Sequence, residues 1–389
     1  MQMIKTIKIM LNPNNKQRTR LFQYAGASRF AYNWTLAREK ENYNNGGKFI
    51  SDNDLRKEFT KLKKQEEYKW LNKISNNVTK QAIKDACNSY KRFFKGQSKF
   101  PKFKSKKKSK PSFYQDNIKI KFSETHVKLE GLTSSKKQNK QKLNWIRLAE
   151  HNRIPTNCKY VNPRITFDGI NWWVSVGIEY QDNYNVPKNE GIGIDLGIKD
   201  LAVCSDGKVY KNINKSKRVR KLEKKRRGLQ RQISKKYELN KEGRSYCKTS
   251  NIIKSEKKLL KLNHRLTNIR HNYLHQTTTE TINRKPMFIV LENLNVNGMM
   301  KNKHLSNAIQ QQCFYEFYRQ IEYKSSWNNI KFVEADKWFP SSKTCSECGS
   351  IKKELKLSDR VYVCEECGCI IDRDLNASIN LMKYGKSIA

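Results

Sequence analysis

A chain of 389 residues is long enough for two or three domains and a sizeable core, which excludes a small disulfide-stapled scaffold. Lys and Arg number 80 against 36 Asp and Glu, a formal charge of +44. That excess is far beyond what solubility asks for, so a polyanion, nucleic acid above all, is the natural counter-charge. No apolar run approaches the ~18 residues of a membrane span, and MQMIKTIKIMLNP lacks the apolar centre of a secretory signal. A cytoplasmic, prokaryotic protein with no membrane partner is the expectation.

In chain order, Met3–Leu11 alternates Ile4, Ile7 and Ile9 with lysines and reads as a strand that ends at Asn12-Pro13. Residues 14–43 turn helical. A second helix starts at Ser51 or Asp52 as N-cap, and a third, Val78–Lys95, sets Ala82, Ala86, Tyr90 and Phe93 on one face. Lys80, Gln81 and Lys84 lie on its polar side, where they could meet phosphates and base edges. KFPKFKSKKKSKPSFY then interleaves aromatics with lysines, as a nucleic-acid contact or a basic linker would. Residues 118–180 read as strands, interrupted by the linker-like SSKKQNKQK, and with the first strand they predict a small β-barrel over 1–12 and 111–187. The helical segment 13–110 is its insertion.

From residue 188 the pattern becomes mixed α/β. GIGIDLGIKDLAV, Gly191–Val203, places Asp195 alone in an apolar strand, and the glycines allow a backbone, a metal or a phosphate to come close. A hairpin turning at Asp206-Gly207 follows. Residues 214–284 form a basic helical segment: Lys215–Lys236 holds twelve basic residues and one acid, Glu223, and Arg226 and Arg227 are its candidate nucleic-acid contacts. The helix Asn251–Asn283 carries a seam of Leu259, Leu262, Leu266, Ile269 and Tyr273. Then come the apolar strand of Phe288–Val296, which ends in Glu292, a helix Ser306–Ser325, a strand Ile330–Asp336 and a final helix from Asp372 to Tyr384.

Cys345, Cys348, Cys364 and Cys367 have the C-x2-C…C-x2-C spacing of a four-thiolate zinc ribbon, within 341–371. With every coordination position filled, that zinc would be structural. Asp195, Glu292 and Asp374 are the candidate catalytic carboxylates. If two neighbouring strands and the last helix bring them together, their repulsion calls for cations, and two magnesium ions would suit phosphodiester hydrolysis.

GIGIDLGIKDLAV, IVLENLNV and DRDLNASIN, in that order and with the ribbon just before the third, resemble the RuvC-like nuclease domain of the TnpB family of RNA-guided DNA endonucleases. SRFAYNWTL and FPKFKSK extend the resemblance to the front of the chain. It implies an RNase H-like (RuvC) domain with an inserted zinc ribbon, and the carboxylate roles for Asp195, Glu292 and Asp374, with Asp372 as the near alternative. It also implies a guide RNA and target double-stranded DNA as partners of a monomer, with the front of the chain reading a short flanking motif; on charge and helical position alone, Lys80, Gln81 and Lys84 are the candidates for that reading. Three other readings remain: an RNase H-like transposase, an actin-like ATPase lacking its later phosphate loops, and a non-catalytic nucleic-acid-binding repressor.

Overall fold

In the computed structural model, residues 3–132, 142–180, 187–243, 245–356 and 359–388 are described, and the chain forms two compact units, Met1–Asp182 and Asn183–Ala389.

In the first unit, strand β1 (Met3–Asn12) leads into helix α1 (Asn15–Asn44). Asn14 starts that helix with a reciprocal cap: its Oδ1 accepts from Gln17 N at 2.9 Å, and Gln17 Oε1 accepts from Asn14 N at 3.0 Å. Ser51 is the cap of α2 (Asp52–Leu62), accepting from Asp54 N at 3.2 Å. Ser75 caps α3 (Asn76–Phe94), so that helix starts two residues before Val78.

Strands β2 (Ser112–Tyr114), β3 (Lys121–Phe122), β4 (His126–Lys128), β5 (Trp145–Leu148), β6 (Tyr160–Phe167) and β7 (Trp172–Tyr180) join β1 in one sheet. Its order is β2-β6-β7-β1-β5-β4-β3, with every pairing antiparallel. The expected barrel is therefore an open seven-stranded sheet, with no pairing of β2 to β3 among the described residues. The strand expected at Ile118 is short because Asp116 Oδ1 captures the N–H groups of Ile118 and Lys119 in a turn. Residues 134–141 of the linker-like stretch lie outside the described residues. Helices and sheet share one core, in which Leu21, Ala86, Phe113, Ile165 and Trp172 are buried.

In the second unit, β8 (Ile192–Leu196), β9 (Asp200–Cys204) and β10 (Val209–Lys211) form an antiparallel meander. A two-residue hairpin, β11 (Lys241–Glu242) with β12 (Ser245–Tyr246), joins α4 (Lys217–Glu238) to α5 (Ser250–Asn283). Strands β13 (Phe288–Glu292) and β14 (Lys331–Ala335) add in parallel beyond β8, giving the order β10-β9-β8-β13-β14. Within the apolar stretch Phe288–Val296 the strand ends at Glu292, because Leu294 N turns back to the Glu292 carbonyl and Asn295 caps the short α6 (Val296–Met299).

The helix expected over Ser306–Ser325 is two: α7 (Ser306–Gln312) and α8 (Phe314–Trp327). Cys313 between them adopts φ 56°, with Phe314 buried on one side and Gln312 on the other. Ile192, Ile194, Ile289 and Leu291 face α5 and α8, where Leu274, Phe317 and Ile321 complete a core. The opposite face receives the last helix, α9 (Arg373–Ile388), through Phe288, Val290, Val333 and Leu381.

Candidate functional site

Strand alternation decides which side chains face α9. On β13 these are Phe288, Val290 and Glu292. Leu291 pairs with Ile194, so one further residue sets Glu292 beside Asp195 on the same face. Two residues before Asp195 stands Gly193, where a Cβ would overlap the Ser378 carbonyl and the Met382 amide of α9. Of the roles open to these glycines, Gly193 takes the first: it admits another backbone. Gly385 repeats the device from the helix side, against Phe288 and Val290. The close seat brings the first turn of α9, with Asp374, over the strand ends that carry Asp195 and Glu292.

Asp195 feels both of the other carboxylates. Burial first, then the negative charges of Asp374 and Glu292, push Asp195 up to about 8 against the opposing Arg373. Burial raises Glu292 as well. This set of oxygen donors of like charge fits a hard divalent cation. Among the described residues, the cysteine set is the group that gathers as a candidate metal site, its ligand atoms all within 4.8 Å of one another, and the three carboxylates do not form such a group.

Asp372 and Asp374 have separate roles. Asp372 Oδ1 accepts from the backbone N–H groups of Asp374 at 3.0 Å and Leu375 at 3.2 Å, as an N-cap does. Asp374 points to the cluster, and its Oδ1 accepts from Arg373 Nη2 at 3.1 Å. Sequence reasoning missed Arg373, and the cap was legible in the D-x-D spacing at a helix start. It also gave no role to Asn376 and Asn380, both buried, one turn apart. Asn376 Oδ1 accepts from Ser346 N at 2.8 Å while its Nδ2 donates to Thr344 O at 2.7 Å. Asn380 Nδ2 donates to Ser341 O and Thr344 O. The helix that presents Asp374 is thus bonded to the first knuckle of the cysteine ribbon.

In that ribbon, Cys345 Sγ lies 3.6 Å from Cys367 Sγ, and Cys348 Sγ 3.6 Å from Cys364 Sγ. A tetrahedron with Zn–S bonds of ~2.3 Å has edges of about 3.8 Å, so the four sulfurs fit a structural zinc. The Ser350 hydroxyl, 3.2 Å from Cys364 Sγ, helps pull that thiol down to about 6, toward the thiolate a metal needs. The knuckles match: Cys345 N donates to Ser350 O and Cys364 N to Cys369 O, and the paired strands β15 (Val361–Val363) and β16 (Ile370–Asp372) run into α9.

The basic candidates divide. Lys80 and Lys84 are exposed on α3, but Gln81 donates to Asp85 Oδ1 at 2.9 Å, and Asp85 is held by both terminal nitrogens of Arg164. On α4, Arg226 turns inward to Glu223 at 2.7 Å, and Arg270 reaches the same carboxylate at 2.7 Å. Arg227 faces outward with Arg220, Lys224 and Arg231 around a groove of about 800 Å³.

Comparison with known proteins gives matches along the chain. Residues 175–303 match the OrfB_IS605 family, described as "Probable transposase", and residues 1–48 match its helix-turn-helix domain. The described part of that front segment holds β1 and α1. Residues 314–381 match the TNB domain of Cas12f1-like proteins. A protein of Escherichia coli (strain K12), assigned by name as the RNA-guided DNA endonuclease InsQ, is 28% identical over 404 residues, covering 100% of this chain and 94% of the relative. One from Streptomyces pristinaespiralis, assigned the same activity by name, is 29% identical over 387 residues, covering 99% and 90%. The protein in a Cas12f1–sgRNA–target DNA complex shares the fold at a TM-score of 0.59 and 12% identity, over 98% of this chain and 99% of that one.

Proposed function

The chain belongs to the TnpB family, and we propose that it is an RNA-guided DNA endonuclease, cutting target DNA beside a short flanking motif that the first unit reads. The observation that carries the chemistry is the approach of Asp195, Glu292 and Asp374, from three distant stretches, close enough that two of them join burial in raising the third to about 8. The sheet order, an antiparallel meander followed by two parallel strands, supports the RNase H-like, RuvC-type reading.

Asp195, Glu292 and Asp374 would hold two magnesium ions, whose chemistry when bound is to lower the pKa of water and to stabilise charge on the leaving 3′ oxygen. The protein's own part is positioning. Asp372 fixes the first turn of α9, Gly193 sets that helix against β8, and Asn376 with Asn380 ties it to the ribbon. The zinc held by the four cysteines would stiffen this support, and the outward bases of α4 would bind the phosphates of guide and target.

The family description favours a second reading, a transposase. The same carboxylates could support strand transfer. Incubating the protein with magnesium and DNA, before and after complete removal of RNA, separates the two. Hydrolytic cuts that need RNA are expected, and joined strands made without RNA would establish the transposase instead.

A further inference from the structure

Trp338 is 81% exposed, yet the backbone that carries it is fixed on both sides. It stands three residues beyond Ala335, the β14 residue paired with Glu292. Before it, Asp336 N donates to the Tyr384 hydroxyl of α9 at 3.3 Å, and Asp336 Oδ1 accepts from Trp338 N at 2.7 Å. After it, Phe339 packs on Tyr384 with ring centroids 4.8 Å apart, and the Ser341 carbonyl accepts from Asn380 at 2.8 Å. Lys337 Nζ lies 5.0 Å from the centre of the indole.

A large aromatic left in water on an anchored turn is a surface kept ready for something flat. Lys337 adds a cation beside it, suited to a phosphate-bearing ligand. A paired base inside a duplex has both faces covered, so the matching partner is an unpaired base. Glu292 lies at the end of the neighbouring strand, β13, which puts such a base on the strand about to be cut.

We propose that Trp338, with Lys337, is a stacking platform for one unpaired nucleobase of the DNA strand entering the carboxylate site. The proposal rests on the nuclease reading above. Stacking on one aromatic is worth about five- to 150-fold in affinity for its base.

The test is an abasic scan. RNA-loaded wild type, Trp338→Ala and Trp338→Phe are compared on target DNAs that each carry one abasic site near the cut, reading binding and single-turnover cleavage. Wild type should lose about five- to 150-fold at one position. Trp338→Ala should bind intact DNA more weakly by a similar factor and be indifferent to the abasic site at that position, while Trp338→Phe keeps most of the sensitivity. If wild type cuts and no position depends on Trp338, the platform is wrong. If Trp338→Ala instead abolishes self-association in sedimentation, the indole serves a second copy of the chain and the platform is again wrong. Failure of wild type to cut any matched DNA would refute the nuclease reading itself, a separate outcome.

Discussion

Replacing Asp195 with asparagine should stabilise the magnesium-free protein and destroy its activity, and the gain should depend on pH in a defined way. The folded carboxyl is pushed up to about 8 from an ordinary value of 3.8. At pH 7 the folded protein therefore keeps a proton that the unfolded chain has lost, and folding must take it up. Because the unfolded state binds fewer protons between these values, stability falls as pH rises from about 4 to about 8. At pH 7, some three pH units above 3.8 at ~1.36 kcal/mol each, the cost is about 4 kcal/mol, and at pH 5 about 2 kcal/mol. The Asp195→Asn variant would carry no such cost, so these figures bound the gain. At ~2–4 °C per kcal/mol for a unit of this size, the transition of the second unit should rise by up to about 8–16 °C at pH 7 and about half that at pH 5. Calorimetry on zinc-loaded protein without magnesium or chelator reads this directly. A variant less stable than wild type at pH 7, or a gain unchanged between pH 5 and pH 8, would refute the charge cluster.

Asp372→Ala should cost about 1 kcal/mol, the value of an N-cap, and leave measurable cleavage, whereas Asp374→Ala should bind RNA normally and cut nothing; cleavage lost in Asp372→Ala and kept in Asp374→Ala would reverse the assignment. Gly193→Ala should drive α9 off the sheet, lowering the melting temperature and opening the C-terminal segment to protease, since the clash is with helix backbone. A variant with wild-type protease resistance would show that the seat is looser than described. Cys364→Ser should release zinc, measured by elemental analysis, and lower the melting temperature of the second unit; a metal-free protein with an unchanged melting profile would remove the ribbon's structural role.

The elements that hold the site were legible where local pattern determines them. The apolar runs around Asp195 and Glu292 predicted strands, and the cysteine spacing predicted one cluster, because a C-x2-C turn brings its own sulfurs together. Features set by long-range packing were not. Nothing near Gly193 says that its missing side chain makes room for residues 378–382, and nothing near Cys313 says that Gln312 must reach the Gly197 carbonyl at 2.8 Å, dividing a helix that periodicity runs straight through. Gln81 looked available on a polar face, but its hydrogen-bond partner Asp85 is held in turn by Arg164, 79 residues farther along the chain. Sheet closure is likewise a property of distant edges, and the open order from β2 to β3 follows from pairings no local signal encodes.

Retargeting tests the central claim most directly. The protein is loaded with two RNAs that differ only in the segment complementary to DNA and presented with both matching targets in magnesium. Each complex should cut its own target and spare the other, and Asp195→Ala should bind both RNAs and cut neither. Cutting that ignores the RNA sequence, or that persists in Asp195→Ala, would contradict an RNA-guided nuclease built on Asp195, Glu292 and Asp374.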